Sequence, residues 1–174
     1  MGGAWCTQHF MEHYRFTGDK TFLAEHAYPI LKESAKFMLD WLVTDPRSGK
    51  LVSGPSTSPE NKFYSPETTD EKKFINLDMG NAMDQEIIWD NFTNVLEAAK
   101  LLKIEDEFVK EVQTALDNLS LPKIGSDGRL MEWSQEFEEA DAGHRHMSHL
   151  YGLHPGRQFN HNKTPYYTDA INRS

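Results

Sequence analysis

The stretch DQEIIWDNFTNVLEAAKLL, residues 84–102, decides the fold class. Its apolar residues recur every three or four positions, which places them on one face of an α-helix. The stripe consists of Ile88, Phe92, Val95, Ala99 and Leu102. A long helix with one apolar face buries that face against neighbouring elements. We therefore predict an all-α protein in which other helices cover this stripe.

Helical patterns lie on both sides of this stretch. Residues 5–16 have a one-turn repeat that ends in FTGD, which puts Gly18 at a C-cap position. Asp19 suits the N-cap of a helix over residues 20–43, within which Pro29 predicts a kink or a new first turn. A further helix follows the central one, with its apolar residues at Phe108, Val112, Ala115 and Leu119.

A weak internal repeat links the two halves of this helical pattern. Two segments share one pattern: the end of a helix, a turn with an acidic residue and the start of another helix. They are HYRFTGDKTFLAE and AKLLKIEDEFVKE, in which Phe22 and Phe108 are equivalent. Stacked helical hairpins produce such repeats, and they need neighbours on both sides. We expect residues 1–174 to form a single incomplete segment of a larger helical domain.

The region at about 51–82 is a long loop between helices. It carries Pro55, Pro59 and Pro66 and has no helical period. Short strands at 51–53 and 74–77 are predicted to pair and close its base. Connections between helices usually have about 2–8 residues, so a loop of this length is typically functional. Beyond residue 120 the chain is predicted to be loop-rich, with short helices at 146–151 and 164–174.

Composition excludes several classes of partner. The 18 basic and 27 acidic residues give a net charge of -9, which disfavours nucleic acid because a phosphate backbone would be repelled. No apolar run has the roughly 18 residues of a membrane span. The single cysteine, Cys6, offers no internal disulfide, and we find no phosphate-binding glycine loop, nucleophile elbow or zinc motif. We expect no cofactor and no metal.

Glu60, in GPSTSPENKF at 54–63, is the first candidate for catalysis. Pro59 restricts the backbone immediately before it, which favours a positioned carboxyl group. A solvated acid in a surface turn is the structural alternative. Glu132, in the acidic run MEWSQEFEEAD, is the second candidate acid, although such a run is ordinarily a solvated face.

The segment HRHMSHL, residues 144–150, is the second constellation. Its histidines are spaced two and three apart, so no regular element presents all three to a metal. Hydrogen bonding by the imidazoles and Arg145 to hydroxyl groups or a carboxylate is the favoured use, and fastening two elements together is the alternative. Trp5 could stack on a sugar ring, whereas Trp41, Trp89 and Trp133 are predicted to be core residues.

Five motifs together resemble family 95 of the glycoside hydrolases, the inverting 1,2-alpha-L-fucosidases. They are GGAWCTQHFMEHYRFTGDKTFL, AYPILKESAKFMLDWLV, GPSTSPEN, MDQEII with LEAAKLL, and HRHMSHLYGLHPG, between Gly2 and about Gln158. The resemblance implies a catalytic (α/α)6 toroid, of which this chain would be a part. It also implies a glycan substrate, with the remainder of that domain as the chain's structural partner.

The resemblance assigns roles to individual residues. Glu60 matches the general acid, and Trp5, Arg145 and His146 match the fucose pocket. Three neighbours rank lower: His9, Asn61 and His149. The family's water-activating aspartate and its two asparagines belong to motifs that this sequence lacks, so we expect the isolated chain to be inactive.

A general acid must hold its proton near neutral pH. We therefore expect the pKa of Glu60 to be raised, by burial or by a nearby negative charge. A guanidinium beside it would have the opposite effect. Arg145 is accordingly expected to point at the substrate or at a different acid.

Other interpretations stay open from the sequence. The substrate could be an alpha-L-galactoside, which differs from a fucoside by one hydroxyl group. Another (α/α)6 enzyme, a glucosidase or phosphorylase, would be favoured by a catalytic Glu132. A non-catalytic helical repeat module that binds a protein or glycan would leave Glu60 pointing to solvent. The compartment stays open, although the resemblance is compatible with a secreted or periplasmic parent.

Overall fold

The computed structural model describes residues 1–67 and 73–174, so part of the loop predicted at 51–82 lies outside the described residues. The chain divides into two compact units. The first consists of Met1–Val52 and Ile87–Ser120, and the second of Ser53–Glu86 and Leu121–Ser174.

Helices dominate the described residues, as the sequence predicts, and the strands are short. The α-helices are α1 (Gly2–Thr17), α2 (Lys20–Phe22), α3 (Tyr28–Trp41), α4 (Ala82–Leu102), α5 (Glu107–Asn118) and α6 (Pro165–Ile171). A π-helical segment, Leu23–Ala27, joins α2 to α3, and a 3-10 turn spans Ser148–Leu150. The strands are β1 (Leu42–Thr44), β2 (Leu51–Ser53), β3 (Pro55–Ser56), β4 (Phe63–Tyr64), β5 (Phe74–Ile75) and β6 (Asp78–Met79).

The predicted helix caps of the first unit are confirmed. Gly18 ends α1 in the left-handed region, at φ 69°, where its N–H donates to the Tyr14 carbonyl. The Asp19 carboxylate then accepts from the backbone N–H groups of Thr21 and Phe22 at the start of α2. Asp106 caps α5 in the same manner by accepting from the Val109 N–H. Both turns of the sequence repeat thus use an aspartate to satisfy helix N–H groups that have no partner within the helix.

The core of the first unit is built from the apolar stripes of its helices. Phe92, Val95 and Ala98 on α4 are fully buried, as are Leu31 and Ala35 on α3. α1 is fastened to α4 by polar contacts, in which the Arg15 guanidinium donates to Asn94 Oδ1 at 2.6 Å and to Glu97 Oε2 at 2.5 Å. Lys32 on α3 lies 3.4 Å from the Asp106 carboxylate at the start of α5. The predicted burial of the α4 stripe is therefore confirmed for Ile88, Phe92, Val95 and Ala99, whereas Leu102 is half-buried.

The predicted pairing of strands is wrong. Residues 51–53 and 74–77 were expected to pair with each other, but β2 pairs with β1. β5 instead pairs antiparallel with β4, with Phe63 opposite Ile75, and β3 pairs with β6. The helix expected to reach residue 43 ends at Trp41, because the chain from Leu42 becomes β1.

The second unit is held by aromatic contacts and by bonds between loops. Phe63 stacks on Phe137 with 4.1 Å between ring centroids and meets Trp133 edge-on at 4.8 Å. The backbone next to Phe63 is paired as well, since the Tyr64 N–H donates to the Glu138 carbonyl at 2.9 Å. Leu130, Phe159 and Ile171 form a buried apolar cluster in this unit. The contacts of Phe63 and Tyr64 hold the loop immediately after Glu60.

The tryptophan prediction is confirmed in part. Trp133 is 5% exposed, whereas Trp41 and Trp89 are half-buried. Among the helices of the described residues, none combines the length and the apolar character needed to cross a membrane.

Candidate functional site

Glu60 lies at the tip of a tight turn, Ser58 to Asn61, in the second unit. The Asn61 N–H donates to the Ser58 carbonyl at 3.2 Å, which closes the turn. Pro59 occupies the second position, and Glu60 at the third has a φ of 53°. This combination matches a type II turn, whose third position favours glycine because other residues are strained at positive φ. A glutamate held in that conformation is an outlier of the kind that clusters at functional sites.

Three consecutive residues of the HRHMSHL motif contact this turn tip. The Arg145 guanidinium is in direct contact with Glu60 Oε2, and His146 Nε2 lies 3.1 Å from the same oxygen. His144 Nε2 lies 3.2 Å from the carbonyl oxygen of Pro59. Glu60 nevertheless keeps 61% of its side chain exposed. The turn therefore presents a carboxylate that is accessible to solvent and faced by two basic side chains.

The electrostatics of Glu60 contradict two expectations from the sequence. The hydrogen bond from His146 and the positive charge of Arg145 lower the pKa of Glu60 below its ordinary value. A raised pKa was expected, but the carboxyl group is not buried, and among the described residues His146 and Arg145 contribute most to its shift. Arg145 was expected to point elsewhere, and instead it contacts Glu60. In this state Glu60 is a carboxylate rather than a proton donor.

Glu132, the second candidate acid, lies at the base of the turn. Its side chain is 10% exposed. The Ser58 hydroxyl donates to Glu132 Oε1, and the Asn61 side-chain amide donates to Oε2 at 2.9 Å. Both carboxylate oxygens are therefore occupied by the two residues that begin and end the turn.

Two of the lower-ranked candidates lie close to Glu132. Asn61 is 7% exposed. His149 Nδ1 lies 4.0 Å from Glu132 Oε2, and burial lowers the pKa of His149. Together with His146, these residues line a cavity of about 220 Å³. Glu60 and Arg145 are not part of its lining.

The remaining candidates, Trp5 and His9, belong to α1 in the first unit. Trp5 is half-buried. His9 is exposed, with its Nδ1 3.5 Å from Glu12 Oε2 one turn along the helix. Within the second unit, the structure brings together Glu60, Asn61, Arg145, His146 and His149.

Sequence reasoning missed two participants, Ser58 and Ser148, and included His144 only as one of the hydrogen-bonding imidazoles of the HRHMSHL segment. Ser58 and Asn61 stand three residues apart around Pro59 and Glu60, and short polar side chains at the ends of a turn are the signal that was available. No sequence signal connects either residue with Glu132, more than 70 positions later. In the part of the chain that the structure describes, no group of three or more acidic, histidine or cysteine side chains could hold a metal ion.

Comparison with known proteins gives one family. The family model described as "Glycosyl hydrolase family 95 catalytic domain" matches residues 1–174. The chain is 38% identical to "Alpha-L-fucosidase 2" of Arabidopsis thaliana over 172 residues, which cover 98% of this chain and 20% of that protein. It is 32% identical to "Probable alpha-fucosidase A" of Aspergillus niger, over 97% of this chain and 21% of that protein. The chain thus spans about a fifth of the length of these relatives.

Proposed function

This chain belongs to the family of glycosyl hydrolase family 95 catalytic domains, and on that basis we propose that it forms part of an inverting α-L-fucosidase in which Glu60 is the general acid. The substrate class is a glycan with a terminal α-L-fucosyl residue, or with the closely related α-L-galactosyl residue. The two helical hairpins of the first unit would form part of an (α/α)6 toroid. Both curated relatives described above carry fucosidase names, which supports the substrate class.

The observation that carries the proposal is the contact between Glu60 and the HRHMSHL motif. A solvated turn acid has no need of a strained backbone or of two basic partners from a segment 85 residues away. A binding module would leave Glu60 directed into solvent without such partners. Glu132 supports the alternative glycosidase less well, because its oxygens are bonded to Ser58 and Asn61.

An inverting glycosidase uses two carboxyl groups on opposite sides of the scissile bond. One protonates the oxygen of the leaving group, and the other removes a proton from the attacking water. The family resemblance gives the second role to an aspartate in a motif that this sequence lacks. The proposal therefore assigns the proton donor to this chain and the water-activating base to residues outside it.

Glu60 must gain a proton before it can donate one. The guanidinium of Arg145 opposes this, because a nearby positive charge favours the carboxylate. Arg145 carries donors that suit sugar hydroxyl groups as well as carboxylates. We propose that the bound sugar engages Arg145, that the guanidinium moves away from Glu60, and that the pKa of Glu60 rises when the substrate is in place.

The test is Glu60→Gln in the full-length protein. We expect hydrolysis of an α-1,2-linked fucosyl disaccharide to fall about 10²- to 10⁴-fold, the usual contribution of general acid catalysis. Hydrolysis of α-L-fucosyl fluoride should fall far less, because fluoride leaves without protonation. Glu67→Gln, the same change at an exposed position of the same loop, is the control. Disaccharide hydrolysis near the wild-type rate in Glu60→Gln would exclude Glu60 as the acid.

A further inference from the structure

The carboxylate of Glu132 is a hub that connects two loops of the second unit. Its Oε1 accepts from the Ser58 hydroxyl, and the Ser148 hydroxyl lies 3.5 Å from the same oxygen. The two serine hydroxyls lie 2.7 Å apart. Oε2 accepts from the Asn61 amide at 2.9 Å. Bonds to an ionised acceptor are stronger than neutral ones, and this side chain is largely shielded from competing water.

Glu132 binds the two ends of the turn but not its two central residues. Ser58 and Asn61, the first and last residues of the turn, are bound to Glu132. Pro59 and Glu60, the two central residues, contact the residues at 144–146. Glu132 thus binds both ends of the turn that carries Glu60.

The same hub reaches the base of the segment that faces Glu60. Ser148 follows His146 by two residues and begins the 3-10 turn Ser148–Leu150. Its hydroxyl group joins the network of Ser58 and Glu132. Glu132 is in turn fixed by its backbone, since its carbonyl accepts from the Ala82 N–H at 3.0 Å, at the first residue of α4.

We propose that Glu132 is a positioning residue for catalysis, which orients the Glu60 turn through its bonds to Ser58 and Asn61. This inference rests on the proposed role of Glu60 as general acid. A turn with a non-glycine residue at positive φ keeps that conformation only because its surroundings hold it, so releasing its two ends from Glu132 allows it to relax. A displacement on the order of 1 Å at a catalytic group costs on the order of a hundredfold in rate.

The experiment uses Glu132→Ala in the full-length protein with the same pair of substrates. We expect kcat for the fucosyl disaccharide to fall about 30- to 100-fold, as for a misplaced catalytic group. We expect kcat for α-L-fucosyl fluoride to change less than about threefold, because this substrate does not need the acid that Glu132 positions. Glu132→Gln keeps an acceptor oxygen for Asn61 and a polar group for Ser58. It should recover most of the disaccharide activity.

Glu136→Ala is the matched control, because Glu136 is an exposed acid of the same segment that accepts from the Ser126 N–H and does not contact the turn. It should leave both substrates unchanged. A double variant separates the hypotheses: if Glu132 acts through Glu60, adding Glu132→Ala to Glu60→Gln should reduce disaccharide hydrolysis less than about threefold further.

The outcomes distinguish the two proposals. Equal losses on both substrates in Glu132→Ala, or losses that multiply in the double variant, would overturn the positioning role. The assignment of Glu60 as general acid would not be affected, because Glu60→Gln tests it separately. Wild-type disaccharide activity in Glu60→Gln would overturn the proposed function whatever Glu132 does. If Glu132→Ala fails to fold, Ser58→Ala, which removes one of the bonds between Glu132 and the turn, decides: a loss confined to the disaccharide supports the inference, and no loss or an equal loss on both substrates contradicts it.

Discussion

Glu86, a buried glutamate in the first turn and a half of α4, gives the sharpest test of the electrostatics of this protein. Its side chain is 0% exposed. Oε2 accepts from the Gly152 N–H at 2.7 Å, and Oε1 has no hydrogen-bond partner within residues 1–67 and 73–174. Burial raises the pKa of Glu86 well above its ordinary value, and the bond from Gly152 offsets only part of this. We predict that Glu86→Gln changes the pH dependence of stability.

The sign follows from comparing the folded and unfolded states. Below the ordinary pKa of 4.5, Glu86 is protonated in both states and contributes no pH dependence. As the pH rises above that value, the unfolded chain releases this proton while the folded chain keeps it, so the free energy of unfolding decreases until the folded-state pKa is passed. Glutamine has no proton to release and escapes this loss.

The magnitude is bounded by the pH interval. Each pH unit across which only the unfolded state is ionised costs about 1.4 kcal/mol, so the loss between the ordinary pKa of 4.5 and pH 7 is at most about 3.5 kcal/mol. Because the pKa of Glu86 is well above its ordinary value, we expect the stability difference between Glu86→Gln and wild type to grow between pH 4 and pH 7, by an amount that this bound of about 3.5 kcal/mol limits. Any fixed change in hydrogen bonding at Gly152 is the same at both pH values and cancels.

Urea denaturation at a series of pH values measures this difference. Glu111→Gln makes the same chemical change on an exposed side of α5, and it should not reproduce the pH dependence. Parallel stability profiles for Glu86→Gln and wild type would refute the reasoning. They would show that Glu86 ionises in the folded protein as easily as in the unfolded chain.

Two further predictions concern Glu60 and the end of α1. His146→Phe removes the hydrogen bond that contributes most to lowering the pKa of Glu60, so the ¹³C NMR titration of this carboxyl should move to higher pH; an unchanged or lower midpoint would contradict the assigned cause. Gly18→Ala should lower the free energy of unfolding by about 1–2 kcal/mol, because a side chain is disfavoured at φ 69°. Gly3→Ala, inside α1 with open space around it, should instead raise that free energy by about 1 kcal/mol; thermal denaturation compares the two, and equal signs would contradict the backbone argument.

Local features of the fold could be predicted because their causes are local. The cap at Gly18 and the N-cap at Asp19 depend on residues within one turn of the helix end. The buried stripe of α4 depends only on spacing. Strand pairing could not be predicted in the same way. Strands of two or three residues carry too little alternation to specify a partner, so residues 51–53 were assigned to 74–77 rather than to β1.

In the candidate site, too, local features could be predicted from the sequence and long-range contacts could not. The Glu60 turn and the HRHMSHL motif are visible in the sequence as separate features. Their contact joins residues 85 positions apart, and the link from Glu132 to Asn61 joins residues 71 positions apart. Contacts between residues so far apart in the sequence produce no periodic pattern from which they could be predicted. The expected direction of Arg145 was wrong as well. It was inferred from the raised pKa that an acid catalyst needs, because no sequence signal indicated the contact with Glu60 that the structure contains.

The contact between Arg145 and Glu60 joins a long, exposed side chain to a constrained turn. The Glu60 turn is held at both ends by Glu132 and is fixed at its centre by Pro59. Arg145 has a long side chain that is 70% exposed. Because an arginine side chain does not lose its proton in proteins, its effect on the pKa of Glu60 can be relieved only by distance. An exposed guanidinium beside a carboxyl group on a constrained turn is therefore the arrangement in which a bound sugar that draws Arg145 away would raise the pKa of Glu60, as its proposed role as general acid requires.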